Sequence, residues 1–249
     1  MSDTYSDVDS SADVAGAVAW QERIDAWPAI ESYKHRLDQL CSVRPIVDVG
    51  AGPGVDARRT GAVAVDRSWA MARRGRDLEV PYLIGDVCNL PIGSETVGSL
   101  RCDRVIQHVP EPELAVRELA RCIRRGGRIA IADPDQQTLT ISVPGVPTDL
   151  VNRVRRLRRD IGYRSGKYVS ALPSMLAALD FTEVTVNAFP LVLQDSDEAF
   201  GIATWVGSWG AQQGFTMNEA RLWSRAVQSS TRNGFLFAVT YFVVSGVRR

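Results

Sequence analysis

The sequence predicts an α/β fold in which a doubly wound, mostly parallel sheet carries helices on both faces. Two observations lead to this prediction. Short apolar segments rich in β-branched residues alternate with segments whose apolar residues recur at helical spacing, which is the pattern of successive βαβ units. The first short segment also runs directly into a glycine-rich loop, as the first strand of such a sheet does. With 249 residues, of which 45% are hydrophobic, the chain is long enough to bury the core of this fold.

Residues 1–44 precede the predicted sheet, and we expect them to form an arm followed by two lid helices. Residues 1–14 are rich in aspartate and serine and have no apolar period, which is typical of an arm that orders over a ligand. Over residues 14–40 the apolar spacing becomes helical. Pro28 marks the start of the second helix, because proline is tolerated in the first turn of a helix but not in its interior.

Residues 45–249 form the predicted main domain, which contains seven candidate strands. These segments share a β-branched, apolar composition and lie at 45–49, 62–66, 82–86, 97–100, 128–133, 182–189 and 235–247. Between the fourth and the fifth, a helix begins at Pro112 and ends before Gly126. Only eleven residues separate Gly54 from Asp66, so the first connecting helix must be very short.

The last two predicted strands lie on either side of a long insertion at about 190–234. We expect these strands to pair antiparallel at an edge of the sheet, with the insertion as a helical cap. A basic helix over 148–161 and a short helix over 171–178 precede them. The cap's aromatic residues suit either an apolar ligand pocket, closed from the other side by Trp20, Trp27 or Tyr33, or the cap's own core. They are Phe200, Trp205, Trp209, Phe215 and Trp223.

Three consecutive strand ends carry the residues that point to a nucleotide-like ligand. Gly50 and Gly52 let the backbone turn tightly and approach a ligand closely. Asp66 ends the second strand, where a carboxylate can accept hydrogen bonds from both hydroxyls of a ribose, and Asp86 can accept from an adenine amine. Val55 stands where a dinucleotide fingerprint needs a small residue, and no Lys-Ser or Lys-Thr pair follows the glycines, so neither NAD nor a nucleoside triphosphate is favoured.

With these motifs the sequence resembles the class I S-adenosylmethionine-dependent methyltransferases, and within them the ubiquinone and menaquinone biosynthesis type. The loop at 48–54, Asp66 and the Gly-Asp pair at 85–86 match the family's motifs in order, and 101–109 and 125–129 resemble its later ones. The resemblance implies a Rossmann-like seven-stranded sheet, S-adenosylmethionine as cofactor and S-adenosylhomocysteine as product. It also implies the cofactor contacts, which are Asp48 and the backbone of Gly50, Ala51, Gly52 and Arg101 for the methionine part, Asp66 and Arg67 for the ribose, and Asp86 and Val87 for the adenine.

His108 follows the fourth strand and is the predicted candidate for a general base. An imidazole titrates near neutral pH, and a base is needed where the acceptor must lose a proton. The alternative is a histidine that packs or caps at the start of a helix. Asp103 and Asp135 are further candidates, although each has arginines nearby that it could bind instead.

We expect a methyltransferase that acts on O, N or C of a small, apolar or aromatic metabolite. The alternative is a protein of the same fold that binds the cofactor without methyl transfer, as a cyclase or a binding module. RNA methylation is a weaker alternative, because it depends on the basic helix alone and the formal net charge is zero, so nucleic acid is an unlikely partner. The basic residues are Arg153, Arg155, Arg156, Arg158, Arg159, Arg164 and Lys167.

The remaining sequence features concern metals, membranes and location. The four cysteines include no C-x-x-C pair, so the sequence favours neither a metal site nor a disulfide framework. The N-terminus lacks the basic start and apolar stretch of a secretory signal, and the run at 235–244 is too short to span a membrane. We therefore expect a soluble, cytoplasmic protein with no membrane partner, and the sequence predicts no oligomeric state.

Overall fold

The computed structural model describes residues 8–11, 13–230 and 233–249, and a seven-stranded sheet forms the centre of this part of the chain. The strands are β1 (Ile46–Val49), β2 (Val63–Asp66), β3 (Tyr82–Ile84), β4 (Val97–Asp103), β5 (Ile123–Ser142), β6 (Phe181–Leu193) and β7 (Leu236–Arg248). Their order across the sheet is β3-β2-β1-β4-β5-β7-β6. Strands β1 to β5 pair in parallel, and β7 lies antiparallel between β5 and β6. The predicted sheet with an antiparallel last strand is confirmed.

Nine α-helices occur in the described residues, and shorter helical turns connect them. The α-helices are α1 (Val14–Asp25), α2 (Pro28–Leu40), α3 (Val55–Thr60), α4 (Trp69–Asp77), α5 (Pro112–Cys122), α6 (Thr148–Leu157), α7 (Leu172–Ala178), α8 (Trp205–Trp209) and α9 (Met217–Ser230). The second helix begins at Pro28, and α3 has only six residues, both as the sequence predicts. Within the described ranges no helix is long and apolar enough to cross a membrane.

Helices bury both faces of the sheet. Successive side chains of a strand point to opposite faces, and Ile129 and Ala130 of β5 accordingly belong to two different apolar clusters. Leu119 of α5 lies in the cluster of Ile129, and Leu37 of α2 lies in the cluster of Ala130. Since Ile30 and Leu37 are fully buried, α2 is part of the main core, whereas the expectation was a lid helix.

Strand β4 continues to Asp103, three residues beyond the predicted end of its apolar run. Arg101 and Asp103 are charged, and charged residues usually mark the end of a buried strand. Here the Arg101 side chain is fully buried and has carboxylate partners, so the strand continues through it. The carboxyl end of β4 therefore lies at Asp103.

Strand β5 is much longer than the predicted segment 128–133, because β7 supplies a partner along most of its length. After a register shift between Asp135 and Thr140, the pairing continues to Ser142 opposite Leu236. Strand β6 likewise continues to Leu193 opposite Phe237. The segment between β6 and β7 is therefore 194–235. It leaves the sheet at this extended end, on the same side as the carboxyl ends of the parallel strands.

Candidate functional site

A cavity of about 1040 Å³ lies at the carboxyl ends of the parallel strands. It is bordered by the loops after β1, β2, β3 and β4, by the turn Val8–Ser10, by α1 and by the 194–235 segment. The chain runs from β1 outward to β3 and then returns to β4 on the other side of β1. Ligands of doubly wound sheets bind where the strand order reverses in this way, so this cavity is the candidate site.

Two glycines shape the loop after β1, and both have a left-handed φ. At Gly50 (φ 71°) an added Cβ would lie 2.1 Å from Cγ2 of Val105, so packing alone requires a glycine there. At Gly52 (φ 54°) an added Cβ would meet no atom within 4 Å. Gly52 borders the cavity, so this space is available to a ligand that approaches the backbone.

Asp66 joins the loops after β1 and β2. Its Oδ2 accepts a hydrogen bond from the backbone N–H of Gly52 at 3.0 Å, and its Oδ1 accepts one from the N–H of Ser68 at 3.0 Å. Burial raises the pKa of this carboxyl above its usual range, while the backbone donors act in the opposite direction. Each carboxylate oxygen has a further lone pair, so Asp66 can still accept hydrogen bonds from a ligand.

The other residues that the resemblance assigns to the cofactor divide into two groups. Those that border the cavity are Asp48, Gly50, Ala51, Gly52, Asp66, Arg67, Asp86 and Val87. Asp86 is exposed, and its Oδ1 accepts from the N–H of Cys88 at 2.8 Å, which fixes the turn after β3. Arg101 is not among the residues that border the cavity. Because β4 continues two residues past Arg101, to Asp103, the strand end contributes Asp103, Arg104 and Val105 to the cavity instead.

The turn Val8–Ser10 lies at the edge of the site and is hydrogen-bonded to the start of α4. The carboxylate of Asp9 accepts hydrogen bonds from Ser68 Oγ at 2.8 Å, from the N–H of Trp69 at 2.8 Å and from the N–H of Ala70 at 3.0 Å. A carboxylate at a helix N-terminus satisfies backbone donors that the helix leaves unpaired. Val8 and Asp9 border the cavity. The rest of the predicted arm, residues 1–7 and 12, lies outside the described residues.

A group of charged side chains, all buried or nearly so except Arg59, lies beneath the glycine loop and joins α1 and α2 to β1, α3 and β4. This ion-pair cluster consists of Asp25, Lys34, Asp38, Asp48, Asp56, Arg59, Arg101, Asp103 and Arg104. Lys34 Nζ lies 2.6 Å from Asp25 and 2.7 Å from Asp56. Arg101 lies 2.8 Å from Asp56 and 3.3 Å from Asp48. The sequence offers no signal for this cluster, because its members come from five elements that meet only in the fold.

Within the cluster, Asp48 is a carboxyl group whose ionisation is opposed by burial. Burial raises the pKa of Asp48 to about 7, although the Arg101 guanidinium beside it favours the ionised form. The unfolded chain releases this proton near pH 4, whereas the folded protein holds it to about pH 7. This carboxyl therefore lowers the free energy of unfolding as the pH rises from about 4 to about 7.

We expect Asp48→Asn to remove this pH dependence, because the amide has no proton to release. The free energy of unfolding of the variant, taken relative to the wild type, should rise between pH 4.5 and pH 7.5. Urea denaturation at both pH values measures this difference. Asp86→Asn, which changes an exposed carboxylate, is the matched control for the loss of a buried one. A constant difference for Asp48→Asn would contradict the assignment.

His108 lies in a helical turn, Ile106–His108, and borders the cavity. Asp133 holds this turn, because its Oδ2 accepts from the N–H of Ile106 at 3.0 Å. The carboxyl of Asp133 is buried, and burial raises its pKa well above the usual range. The imidazole ring lies 5.2 Å from the ring of Tyr163, centroid to centroid. The sequence predicted the position of His108 near the site, and the role as a base stays a prediction.

The cap aromatics serve both purposes that the sequence left open. Trp205 and Trp223 are buried in the apolar core and do not border the cavity, whereas Phe200 and Trp209 do. From the opposite side, Trp20 borders the cavity, but Trp27 and Tyr33 are buried in the core. Tyr163 and Tyr241 also border the cavity. The sequence did not predict them, because both lie outside the insertion that it indicated as the cap.

The basic helix ends earlier than predicted, at Leu157, and continues as a π-helical turn, Arg158–Gly162. Its basic residues have different environments. Arg153 binds Glu219 and Arg159 binds Asp160, while Arg158 is buried. The exposed members are Arg156, Arg164 and Lys167.

Residues 47–131 match the protein family described as a methyltransferase domain. Over 105 residues, 40% of this chain and 45% of the relative, the sequence is 32% identical to demethylmenaquinone methyltransferase of Corynebacterium urealyticum. The chain spans about half the length of the curated relatives it matches.

Two solved structures illustrate the similarity of the fold. A putative methyltransferase from Bacillus halodurans superimposes with a TM-score of 0.59 at 20% identity, over 87% of this chain and 99% of that chain. The [4+2]-cyclase SpnF gives a TM-score of 0.52 at 17% identity, over 88% of this chain and 81% of that chain. At these identities the likeness concerns the fold alone.

Proposed function

Because the chain belongs to the class I S-adenosylmethionine-dependent methyltransferase family, we propose that it transfers the methyl group of S-adenosylmethionine to a small, apolar or aromatic molecule. The observation that carries this proposal is a single cavity that extends from the glycine loop at β1 to aromatic side chains of the cap. One end suits the cofactor, and the other suits an apolar acceptor.

The residues at the first end fit S-adenosylmethionine. The space above Gly52 accepts a ligand that approaches the backbone closely, and Asp66 has lone pairs available for the ribose hydroxyls. Asp86 and Val87 border the cavity beyond Asp66, where the adenine would lie. Carboxylates dominate this end, which suits a ligand that carries a sulfonium and an ammonium group.

When bound, this cofactor supplies a methyl group that is already activated by a positively charged sulfur. The chain's main task is therefore to align the acceptor atom with that methyl group and to exclude water. Positioning of two reactants can supply about 7 to 11 kcal/mol of rate acceleration. Phe200 and Trp209 on one side and Trp20 on the other provide apolar walls for this purpose.

We propose His108 as the group that takes a proton from an acceptor hydroxyl or ammonium. Support comes from its place at the cavity wall and from Asp133, which holds the turn that carries it. An acceptor that is already deprotonated, or an unprotonated nitrogen, needs no base, and alignment then suffices.

Transfer of label tests the proposed activity directly. The protein is incubated with S-adenosylmethionine labelled in its methyl group and a small-molecule extract of the source cells. A labelled low-mass product is expected. A new product without label would favour the alternative of a cyclase, which the likeness to SpnF makes worth testing. In a parallel incubation with RNA from the same cells, label in the RNA would favour the weaker alternative.

We expect Asp66→Ala to weaken binding of S-adenosylhomocysteine by about 1.5 to 3 kcal/mol. The variant loses a charged acceptor for the ribose and also the hydrogen bond that fixes the N–H of Gly52. Isothermal titration calorimetry measures the change. Asp77→Ala is the matched control and should bind with wild-type affinity, because the Asp77 side chain is 67% exposed and does not border the cavity. Unchanged affinity in Asp66→Ala would leave Asp66 with a purely structural role between the two loops.

We expect His108→Gln to lower the turnover of an acceptor that must lose a proton by roughly a hundredfold. Affinity for S-adenosylhomocysteine should stay close to wild type. Steady-state kinetics with the identified acceptor measure the turnover, and calorimetry measures the affinity. If the variant loses thermal stability but keeps its turnover per folded molecule, His108 is a packing residue against Tyr163.

A further inference from the structure

We infer that the acceptor end of the cavity is built for an aromatic molecule that carries an anionic oxygen, and that the guanidinium of Arg158 binds that oxygen. This inference rests on the proposed function, because it names the class of the acceptor. The residue that carries it is a buried charged side chain at the cavity wall.

Arg158 is only 2% exposed, yet it borders the cavity. Its guanidinium carbon lies 4.1 Å from the ring centroid of Trp205 and 4.5 Å from that of Tyr163. The rings of Phe200 and Phe237 lie slightly farther away, each at 5.5 Å. The side chain is therefore held among aromatic rings at the place where α6 changes into the π-helical turn.

The charge of Arg158 persists in this environment, because a guanidinium does not deprotonate in proteins. Aromatic faces compensate part of the cost of burying it through cation–π interactions. A positive charge that is buried among aromatic rings attracts an anion more strongly than the same charge in water. The planar guanidinium also matches the two oxygens of a carboxylate better than an ammonium would.

Hydrogen bonds fix the orientation of this guanidinium. Its Nε donates to Oε1 of Gln136 at 3.0 Å, and Nε2 of Gln136 donates to Oε1 of Gln107 at 3.1 Å. Gln107 borders the cavity and lies in the same turn as His108. Arg158 and the proposed base are thus linked through two buried amides, so an acceptor bound at Arg158 would be positioned relative to His108.

The distribution of charge along the cavity favours an anionic acceptor over a cationic one. The strand-end loops contribute mainly carboxylates, among them Asp48, Asp66 and Asp86, together with Arg67 and Arg104. The segment 158–164 instead contributes Arg158 and Arg164, and its Asp160 is paired with Arg159 at 2.7 Å. Aromatic rings alone would also bind a cation, but the guanidinium among these rings would repel one.

The test compares aromatic carboxylic acids of one to three rings with their primary amides, which have nearly the same shape but no charge. Binding of each compound is measured by calorimetry in the presence of saturating S-adenosylhomocysteine. We expect at least one acid to bind the wild type tenfold or more tightly than its amide. Arg158→Met should abolish this preference, whereas Arg156→Met should keep it, because Arg156 is exposed and does not border the cavity.

Two outcomes overturn the inference. One is a wild type in which no acid binds more tightly than its amide, and the other is an Arg158→Met variant that keeps the preference. If Arg158→Met does not fold, Arg158→Lys replaces it, and a several-fold loss of the preference is then expected because the planar contact to two oxygens is lost. Binding of S-adenosylhomocysteine itself separates the two proposals. Its absence would refute the proposed function, whereas its presence without a preference for acids refutes only the inference.

Discussion

Gly52→Val is expected to give a folded protein that binds S-adenosylhomocysteine roughly a thousandfold less tightly, a loss of about 4 kcal/mol. An added Cβ at Gly52 meets no protein atom within 4 Å, so the side chain has room in the fold. The room it takes is the part of the cavity next to the β1 loop, where the methionine part of the cofactor would lie. Calorimetric titration measures the affinity, and circular dichroism checks the fold.

The backbone strain of this substitution needs its own control. Valine at a left-handed φ costs about 1 to 2 kcal/mol wherever it occurs. Gly126→Val is the matched control, because Gly126 also has a left-handed φ, of 74°, and an open Cβ position, but does not border the cavity. Both variants should lose similar stability, and only Gly52→Val should lose affinity. Equal affinities in the two variants would show that the ligand does not approach Gly52.

Arg101→Met is expected to lower the free energy of unfolding by about 3 to 5 kcal/mol. Its side chain is fully buried, and its loss leaves Asp48 and Asp56 with fewer partners in a site with little water. Removal of one partner of a buried ion pair is costly because the remaining charge stays desolvated. Urea denaturation at pH 7 measures the loss.

Arg74→Met is the matched control for a partly exposed ion pair. Arg74 binds Glu22 at 2.6 Å, but its side chain is 40% exposed, so a much smaller loss of stability is expected than in Arg101→Met. A loss in Arg101→Met no larger than in Arg74→Met would mean that the ion-pair cluster does not stabilise the fold. The affinity of folded Arg101→Met for S-adenosylhomocysteine should also be measured, because Asp48 connects the ion-pair cluster to the glycine loop.

The sequence predicts most of the sheet because local patterns determine its strands. The β-branched runs at β1 and β2 and the proline that begins α5 are recognisable without any partner. The far ends of β5 and β6 are not, because their extensions to Ser142 and Leu193 pair with β7. Where a strand is extended by hydrogen bonds to a distant segment, its own sequence does not show where the strand ends.

The same distinction applies to the site. Gly50, Gly52 and Asp66 follow directly from sequence, because a strand end, a glycine loop and a terminal carboxylate are local features, and chain order brings them to one edge. Arg158 and Arg101 show the opposite case. Each is a charged residue that sequence assigns to solvent or to a strand end, and only the tertiary structure gives each its buried partners.

The sequence by itself therefore determined the order of the strands along the chain and the residues of the glycine loop. The tertiary structure alone decided which charges are buried, where β4 ends and which aromatic side chains face the cavity. The physical reason is that backbone turns and hydrophobic periodicity act over a few neighbouring residues. Desolvation and ion pairing instead depend on groups that are distant in the chain and meet only when it folds.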